Sequence, residues 1–339
     1  MDIRPISLSD ASVMAHVYEV ECEATRHDRP DWVPLGEAAR VTAWRADNGW
    51  LRQLVGAFED DRLIGFATSS TAHDTPGVTW IDVSVRPHHQ RRGVGTVLAH
   101  AAEEASPGRV GDFVASVYRP TTDDIVSVLE RFANPLGYAR ATTETVVELD
   151  LSGAGLTPVD PAGPYAVSSH LDGVPEHLRD AVGVLKGLVD AEAPHGELDW
   201  QPTPVSAAEY TAEIELWLGQ GRTAIESIAL DPHGAVVAWT CLVVAAHPDR
   251  PAQIEGTLVH SQHRGNRLGA SVKLACLLAA REHGRTTRVR TSSDDQNVWM
   301  RAINAELGFL PVESEALLRK RRHSTDAHAE PTQPVRPIT

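Results

Sequence analysis

One phrase occurs twice in the chain, once in each half. It reads VSVRPHHQRRGVGTVL at residues 83–98 and GTLVHSQHRGNRLGASV at residues 256–272. In both copies an alternating apolar stretch closes on a valine, Val85 or Val259, and five residues later stands Gln90 or Arg264. A basic, glycine-bearing turn follows, and then helical periodicity. A repeat of this kind constrains the whole architecture, because each copy must be built from the same supersecondary unit. The unit has the chemistry of a strand, an anion-cradling turn and a helix start. The chain therefore reads as two copies of one ligand-binding domain.

Length supports the same division, since 339 residues are enough for two domains with their own cores. The formal net charge of −15 argues against a nucleic-acid or anionic-membrane binder. It leaves room for a local basic pocket that takes a small anion. Cys22, Cys241 and Cys276 are scattered, which fits reduced core thiols and a cytoplasmic protein. The opening MDIRPISLSD has no apolar run or cleavage pattern of a signal peptide, and no apolar stretch is long enough to span a membrane.

Hydrophobic periodicity predicts strands over residues 3–6, 54–58, 63–68, 78–85, 113–118 and 138–149. Helices are predicted over 10–26, with Ser9 as the cap, and over 95–105 and 124–132. The Gly- and Pro-rich stretch 151–164 is a linker between domains at 1–150 and 165–322. The order then repeats, with strands over 165–168, 223–230, 235–244, 253–259, 287–291 and 309–317. Helices fall at 178–191, 207–218, 268–282 and 297–305. Residues 323–339 read as a disordered tail. Trp80, Trp217, Trp239 and Trp299 are expected in the core or between domains.

The first turn carries the clearer chemistry. Gly93 and Gly95 remove side chains where backbone must approach a ligand or take positive φ. The turn opens a helix, so unpartnered N–H groups point outward at a positive dipole end, which suits a pyrophosphate. Arg91 and Arg92 add charge-assisted donors. On these residues alone, a helix start with solvated arginines stands equally well. A dinucleotide fingerprint fails, because the third glycine is absent and hairpins precede the turn.

Q-R-R-G-V-G resembles the acetyl-CoA motif of the GNAT acetyltransferases, [QR]-x-x-G-x-[GA], with V-S-V-R-P as the lead-in strand. P-L-G-Y at 135–138 and E-L-G-F at 306–309 resemble the family's closing signature, and NVWMRAINAELGF at 297–309 is similar to its fourth helix. The resemblance covers both halves. It implies an α+β fold of two tandem GNAT-like domains, each a mixed, mostly antiparallel sheet flanked by helices. It further implies a bulged fourth strand splayed from the fifth, with pantetheine in the resulting V. Val83, Ser84 and Val85 would hold pantetheine, and Gln90, Arg91, Arg92, Gly93, Val94, Gly95 and Thr96 the pyrophosphate. The corresponding positions of the second half are Leu258, Val259, Arg264, Gly265, Asn266, Arg267, Leu268 and Gly269, with Asn297 at the fourth helix. Arg267 stands where the family has glycine, so weaker or different CoA binding is expected there.

The resemblance also points to a base on the lead-in strand, four residues before the closing valine. Glu255 holds that place in the second half and Ile81 in the first. By strand alternation Asp82 falls on the opposite face, and residues 253, 255, 257 and 259 share one face. The family's usual tyrosine acid is replaced by Asn304 in the second half and Ala133 in the first. Tyr118 could substitute, although packing is an alternative role, and His260 and His263 could meet phosphate or remain solvated. RKRR at 319–322 reads as a solvated strand end.

Together these observations imply an acetyl-CoA-dependent N-acetyltransferase acting on a small-molecule amine, monomeric or homodimeric. The first half is expected to hold acetyl-CoA and the second to do the chemistry, with another acyl-CoA an option there. The alternatives are a non-catalytic acyl-CoA-binding scaffold and a protein lysine acetyltransferase. No metal, nucleic acid or membrane is expected.

Overall fold

The computed structural model describes residues 1–46, 49–72, 77–106, 111–120, 125–157, 159–194, 196 and 202–322. The expected tail at 323–339 lies outside the described residues. In the first half β1 (Asp2–Ile6) leads to α1 (Ala11–Asp28) and α2 (Glu37–Arg45). The α1 cap is Asp10 rather than Ser9, its carboxylate accepting the amides of Ser12 and Val13. The apolar periodicity of α2 is too short to mark it as a helix in advance. Next come β2 (Trp50–Glu59), β3 (Arg62–Ala72) and β4 (Val78–Val85). Asp60 and Asp61 both take positive φ in the β2–β3 turn, which suits the right-handed twist of a hairpin. Then follow α3 (Val94–Ala105), β5 (Asp112–Pro120), the short α4 (Ile125–Val128) running into a wide turn, and β6 (Ala139–Asp150).

The second half repeats this order with β7 (Ala166–Leu171), α5 (Arg179–Lys186), α6 (Val189–Glu192) and α7 (Ala207–Gly219). The single helix expected over 178–191 is broken after Lys186. Gly183 and Gly187 lie so close to the 203–205 backbone that a Cβ at either would collide with it. The carbonyls of these two glycines accept the amides of Val205 and Thr203. The half continues through β8 (Thr223–Leu230), β9 (Val236–Val244), β10 (Ala252–Val259), α8 (Leu268–His283), β11 (Arg288–Asp294), α9 (Val298–Glu306) and β12 (Leu310–Arg321).

The twelve strands among the described residues form one sheet, in the order β1-β2-β3-β4-β5-β12-β6-β11-β10-β9-β8-β7. Among these described strands only β4–β5 and β10–β11 pair in parallel. From either edge the order is five strands of one half, then the last strand of the other. β12 pairs with β5 over 313–321, and β6 pairs with β11 over 144–150. The two exchanged strands then pair with each other at the centre.

The core lies on both faces of this sheet. In the first half, α1 packs Met14, Val17 and Val20 against Ile6, Leu54, Phe58, Leu63 and Phe66. On the opposite face, α3 packs Val94, Leu98 and Ala102 against Ile64, Ile81 and Phe113. In the second half, α5 and α7 cover Ile228, Trp239 and Cys241, while α8 covers Leu242, Val244 and Val289. Trp217 and Trp239 are buried as expected, and Trp80 packs beside Val114 and Leu317. Trp299 departs from the expectation: it sits on α9 with 81% of its surface exposed. The three cysteines are buried and free. The basic run near the C-terminal end is paired, Arg319 to Asp112 at 2.5 Å and Lys320 to Glu103 at 2.6 Å. Among the described residues no helix is long and apolar enough to cross a membrane.

Candidate active site

The two turns have the same backbone built from different residues. In the first, Arg91 (φ +57°) and Gly93 (φ +82°) are left-handed. In the second, the same two positions are Gly265 (φ +82°) and Arg267 (φ +59°). Each turn thus needs two left-handed residues, and each supplies one glycine and one arginine, in opposite order. An arginine in this conformation costs about 1 kcal/mol more than glycine, so neither turn is free of strain. Gln90 and Arg264 also perform one task. Gln90 Nε2 donates to the Val85 carbonyl at 3.1 Å, and Arg264 Nε to the Val259 carbonyl at 3.2 Å. Each ties the turn to the strand that feeds it.

Beyond the turns, α3 starts at Val94 and α8 at Leu268. The first-turn amides of Val94, Gly95 and Thr96 have no helical carbonyl behind them. A Cβ on Gly93 or on Gly265 would meet nothing within 4 Å, so both cradles are open. The next glycine serves packing instead. A Cβ on Gly95 would lie 3.2 Å from Phe132, and one on Gly269 3.2 Å from Ile303. Both turns therefore fit the pyrophosphate of a coenzyme A, judged by open space, free amides and basic side chains. Arg91 and Arg92 are exposed, Arg92 lying 3.3 Å from Glu59. Arg267 does not fill its cradle: its side chain is 57% exposed, with Nη2 3.9 Å from Glu306.

The second turn has a further support. Ala162 donates its amide to the Asn266 carbonyl at 3.0 Å. Tyr165 Oη lies 3.2 Å from His263 Nδ1 and accepts from Asn266 Nδ2 at 3.3 Å. The segment joining the halves thus braces this turn, and His263 is engaged there rather than free for phosphate. Asn297 caps α9, accepting the Met300 amide at 3.1 Å.

Each parallel pair opens into a V. β4 pairs with β5 only over residues 78–80, and β10 with β11 only over 252–253. Val83, Ser84 and Val85, and in the second half Leu258 and Val259, therefore lie on a strand stretch with no ladder partner on that side. An extended amide-bearing ligand can add to such an edge as a strand would. The Leu258 side chain is itself in the core, leaving its backbone for that purpose.

The bulge expected in both halves occurs in one. The β9–β10 register shifts between Ile254 and Gly256, so Glu255 is the extra residue. The β3–β4 register runs unbroken from Gly65–Val85 to Ser70–Trp80. The bulge overturns the simple alternation expected for residues 253, 255, 257 and 259. Ile254 packs on the α8 side, and so does Val259 beyond the bulge. Glu255 instead pairs with Arg222, at 3.3 Å, beside α7. Counting back from the closing valine also misaligned the halves. The first half lacks the extra residue, so Ile81 matches Ile254, and Asp82 matches the bulge. Ile81 packs with α3, and Asp82 takes the other face, accepting from Thr68 Oγ1 at 3.2 Å. Both halves thus set a carboxylate where the V opens, on the face away from α3 or α8.

Both carboxylates are surrounded by protein yet reached by solvent; the Glu255 side chain keeps 39% of its surface open. Burial raises the Glu255 carboxyl above the usual range, against the opposing pull of Arg222. Burial likewise raises Asp82, with Arg40 opposing. Tyr118 is held protonated by burial and by Glu315, and Arg29 stacks on its ring at 4.1 Å, so packing is its observed role.

Sequence reasoning missed one feature beside these. Lys273, 1% exposed, donates to Asn304 Oδ1 at 2.6 Å. Among the described residues it has no carboxylate partner, and burial lowers its pKa to about 7. Its placement among the apolar residues of α8 was the available signal.

Residues 14–122 match the model of the Acetyltransferase (GNAT) family. No curated protein matches the chain. Among solved structures it is similar to the tandem GNAT protein from the clavulanic acid biosynthesis pathway, at 23% identity and a TM-score of 0.76. That match covers 96% of this chain and 99% of the other. It is also similar to a GCN5-related N-acetyltransferase from Sphaerobacter thermophilus, at 16% identity and a TM-score of 0.66, covering 94% and 95%. An acetyltransferase of the GNAT family from Colwellia psychrerythraea aligns at 14% identity and a TM-score of 0.55, covering 95% and 100%. These likenesses establish a tandem GNAT fold for the chain. With the family match in the first half, they bear out the expected α+β fold of tandem GNAT-like domains.

Proposed function

We propose that this chain is an acetyl-CoA-dependent N-acetyltransferase of a small-molecule amine, with acetyl-CoA held at the first turn and the chemistry in the second half. The observation that carries this reading is the β10 bulge, which lifts Glu255 out of the ladder at the mouth of an open V. A carboxylate there can take a proton from an ammonium group, directly or through water. Its raised pKa keeps it closer to the strength a general base needs near neutral pH. Bound acetyl-CoA would supply the activated acyl thioester. Residues 83–85 and the first turn suit its pantetheine and pyrophosphate, and the second turn offers the same backbone with two arginines of its own, Arg264 and Arg267. The β10 edge beyond Gln253 leaves backbone groups free to meet the developing negative charge on the carbonyl oxygen.

A second reading has one observation in its favour. Asp82 occupies the same face of its strand as Glu255, so the first half also has a carboxylate for base catalysis. Chemistry in both halves, or in the first alone, would follow from its use. The scaffold and protein-lysine readings have no comparable feature behind them. Native mass spectrometry of the purified protein tests the cofactor part. At least one acetyl-CoA per chain is expected, and a chain that takes up none at saturating cofactor would exclude the proposal.

A further inference from the structure

Within electrostatic reach of Glu255 stands a guanidinium that forms no ion pair among the described residues. Arg250, in the β9–β10 turn, donates through Nη1 to the Val33 carbonyl at 2.8 Å. Val33 belongs to the first half, in the connection between α1 and α2. No ion pair among the described residues involves Arg250, although it is half-buried. The charges that act on it most strongly are Arg222, Arg40 and Arg29, of its own sign, and Glu255, which opposes them. Burial and these guanidinium groups lower its pKa to about 10. The nearby arginines are already engaged. Arg222 is on Glu255, Arg40 on Glu21, and Arg29 on Glu313 in a two-bond pair at 2.7 and 2.6 Å. A partly desolvated cation among cations is costly unless an anion joins it. In an acidic chain with abundant carboxylates, none of those described forms an ion pair with it.

We propose that the acceptor is an amine that also carries a carboxylate, and that Arg250 binds this carboxylate while Glu255 receives the ammonium group. The inference rests on the second half being the acceptor site. It names the substrate class as amino-acid-like, with both charges on one small molecule. A planar guanidinium fork matches one carboxylate, which is the geometry a single free arginine can satisfy. The Val33 hydrogen bond orients that fork from the first half, so the acceptor site is completed by a loop of the other half. This gives the tandem arrangement a use that two separate domains would lack.

The test is calorimetric binding of a panel of α-, β- and ω-amino acids to the full-length protein with acetyl-CoA present, each against its own carboxamide. The amide keeps the amine and the size and removes the negative charge. At least one amino acid should bind, with its carboxamide about 10- to 100-fold weaker, the range for losing a charge-assisted bond. Arg250→Gln keeps a donor for Val33 and removes the charge, and it should abolish this preference while leaving thermal stability near wild type. Arg250→Lys should restore part of it. Equal binding of acids and amides, a preference that survives Arg250→Gln, or no binding by any member would each overturn the inference. The underlying enzyme proposal fails separately. If acids bind as expected but none is acetylated, the carboxylate site stands and the transferase reading falls. If carboxamides are acetylated as well as acids, the transferase reading stands and the carboxylate site falls.

Discussion

Lys273 shows how one residue sets a pH dependence. Its folded pKa of about 7 lies below its ordinary value of 10.5, because burial disfavours the charged form. Between these values the unfolded chain binds the proton and the folded chain does not. Stability is therefore penalised in full below about pH 7, and the penalty is lost as pH rises toward the unfolded value. The slope is roughly 1.4 kcal/mol per pH unit in that window. Lys273→Met removes the titration and leaves Asn304 Oδ1 without its donor. Urea unfolding at pH 7 and pH 9 should show wild type gaining on the variant with rising pH. Parallel behaviour of the two would show that Lys273 is charged in the folded state. Asp82 bears on where the chemistry lies. Asp82→Asn should leave turnover nearly intact, whereas a loss of about 100-fold, the scale of removing a general base, would move catalysis to the first half.

At the scale of elements, the strand–turn–helix unit was legible because its residues carry local requirements. The repeat of apolar alternation, Gln90 or Arg264, and glycine placed both turns correctly. What the sequence did not carry was which half has the bulge, and at which residue. A bulge adds one residue without any special residue type, and counting back from Val85 and Val259 assumed equal strands. That assumption set Ile81 against Glu255 and hid Asp82. Arg267 was read as a departure at a glycine position, whereas the structure pairs it with a compensating Gly265 two residues earlier. Gly93 supplies the prediction at this scale. Asp and Asn both tolerate left-handed backbone, and no atom lies within 4 Å of a Cβ there. Gly93→Asn should therefore keep the first-half acetyl-CoA, and Gly93→Asp should lose it by setting a carboxylate against the pyrophosphate. Native mass spectrometry of both variants reads the difference, and full occupancy in Gly93→Asp would displace the cofactor from this turn.

At the scale of the whole molecule, the exchange of β6 and β12 was invisible in the sequence. Each strand has the composition its own half requires, and only three-dimensional pairing shows which sheet it joins. The buried network of Arg29, Glu313, Arg290 and Glu148 at this junction joins residues of both halves. Residues 1–150 expressed alone would leave the β5 edge without β12 and the outer edge of β6 without β11. Such edges pair with other chains, so the fragment should aggregate or dimerise on gel filtration, and the intact protein should unfold in one transition. A folded, monomeric fragment would show that the halves are independent.

If Glu255 takes the proton from an acceptor amine in the second half, the pH–rate profile of Glu255→Gln must show it. In wild type, kcat/KM should fall as pH drops through the raised carboxyl pKa of Glu255. The variant keeps the shape and lacks the base, so its kcat/KM should be lower by about 100-fold near neutral pH, with the deficit narrowing at high pH as free amine accumulates. A variant whose profile overlies that of wild type would remove Glu255 from the chemistry.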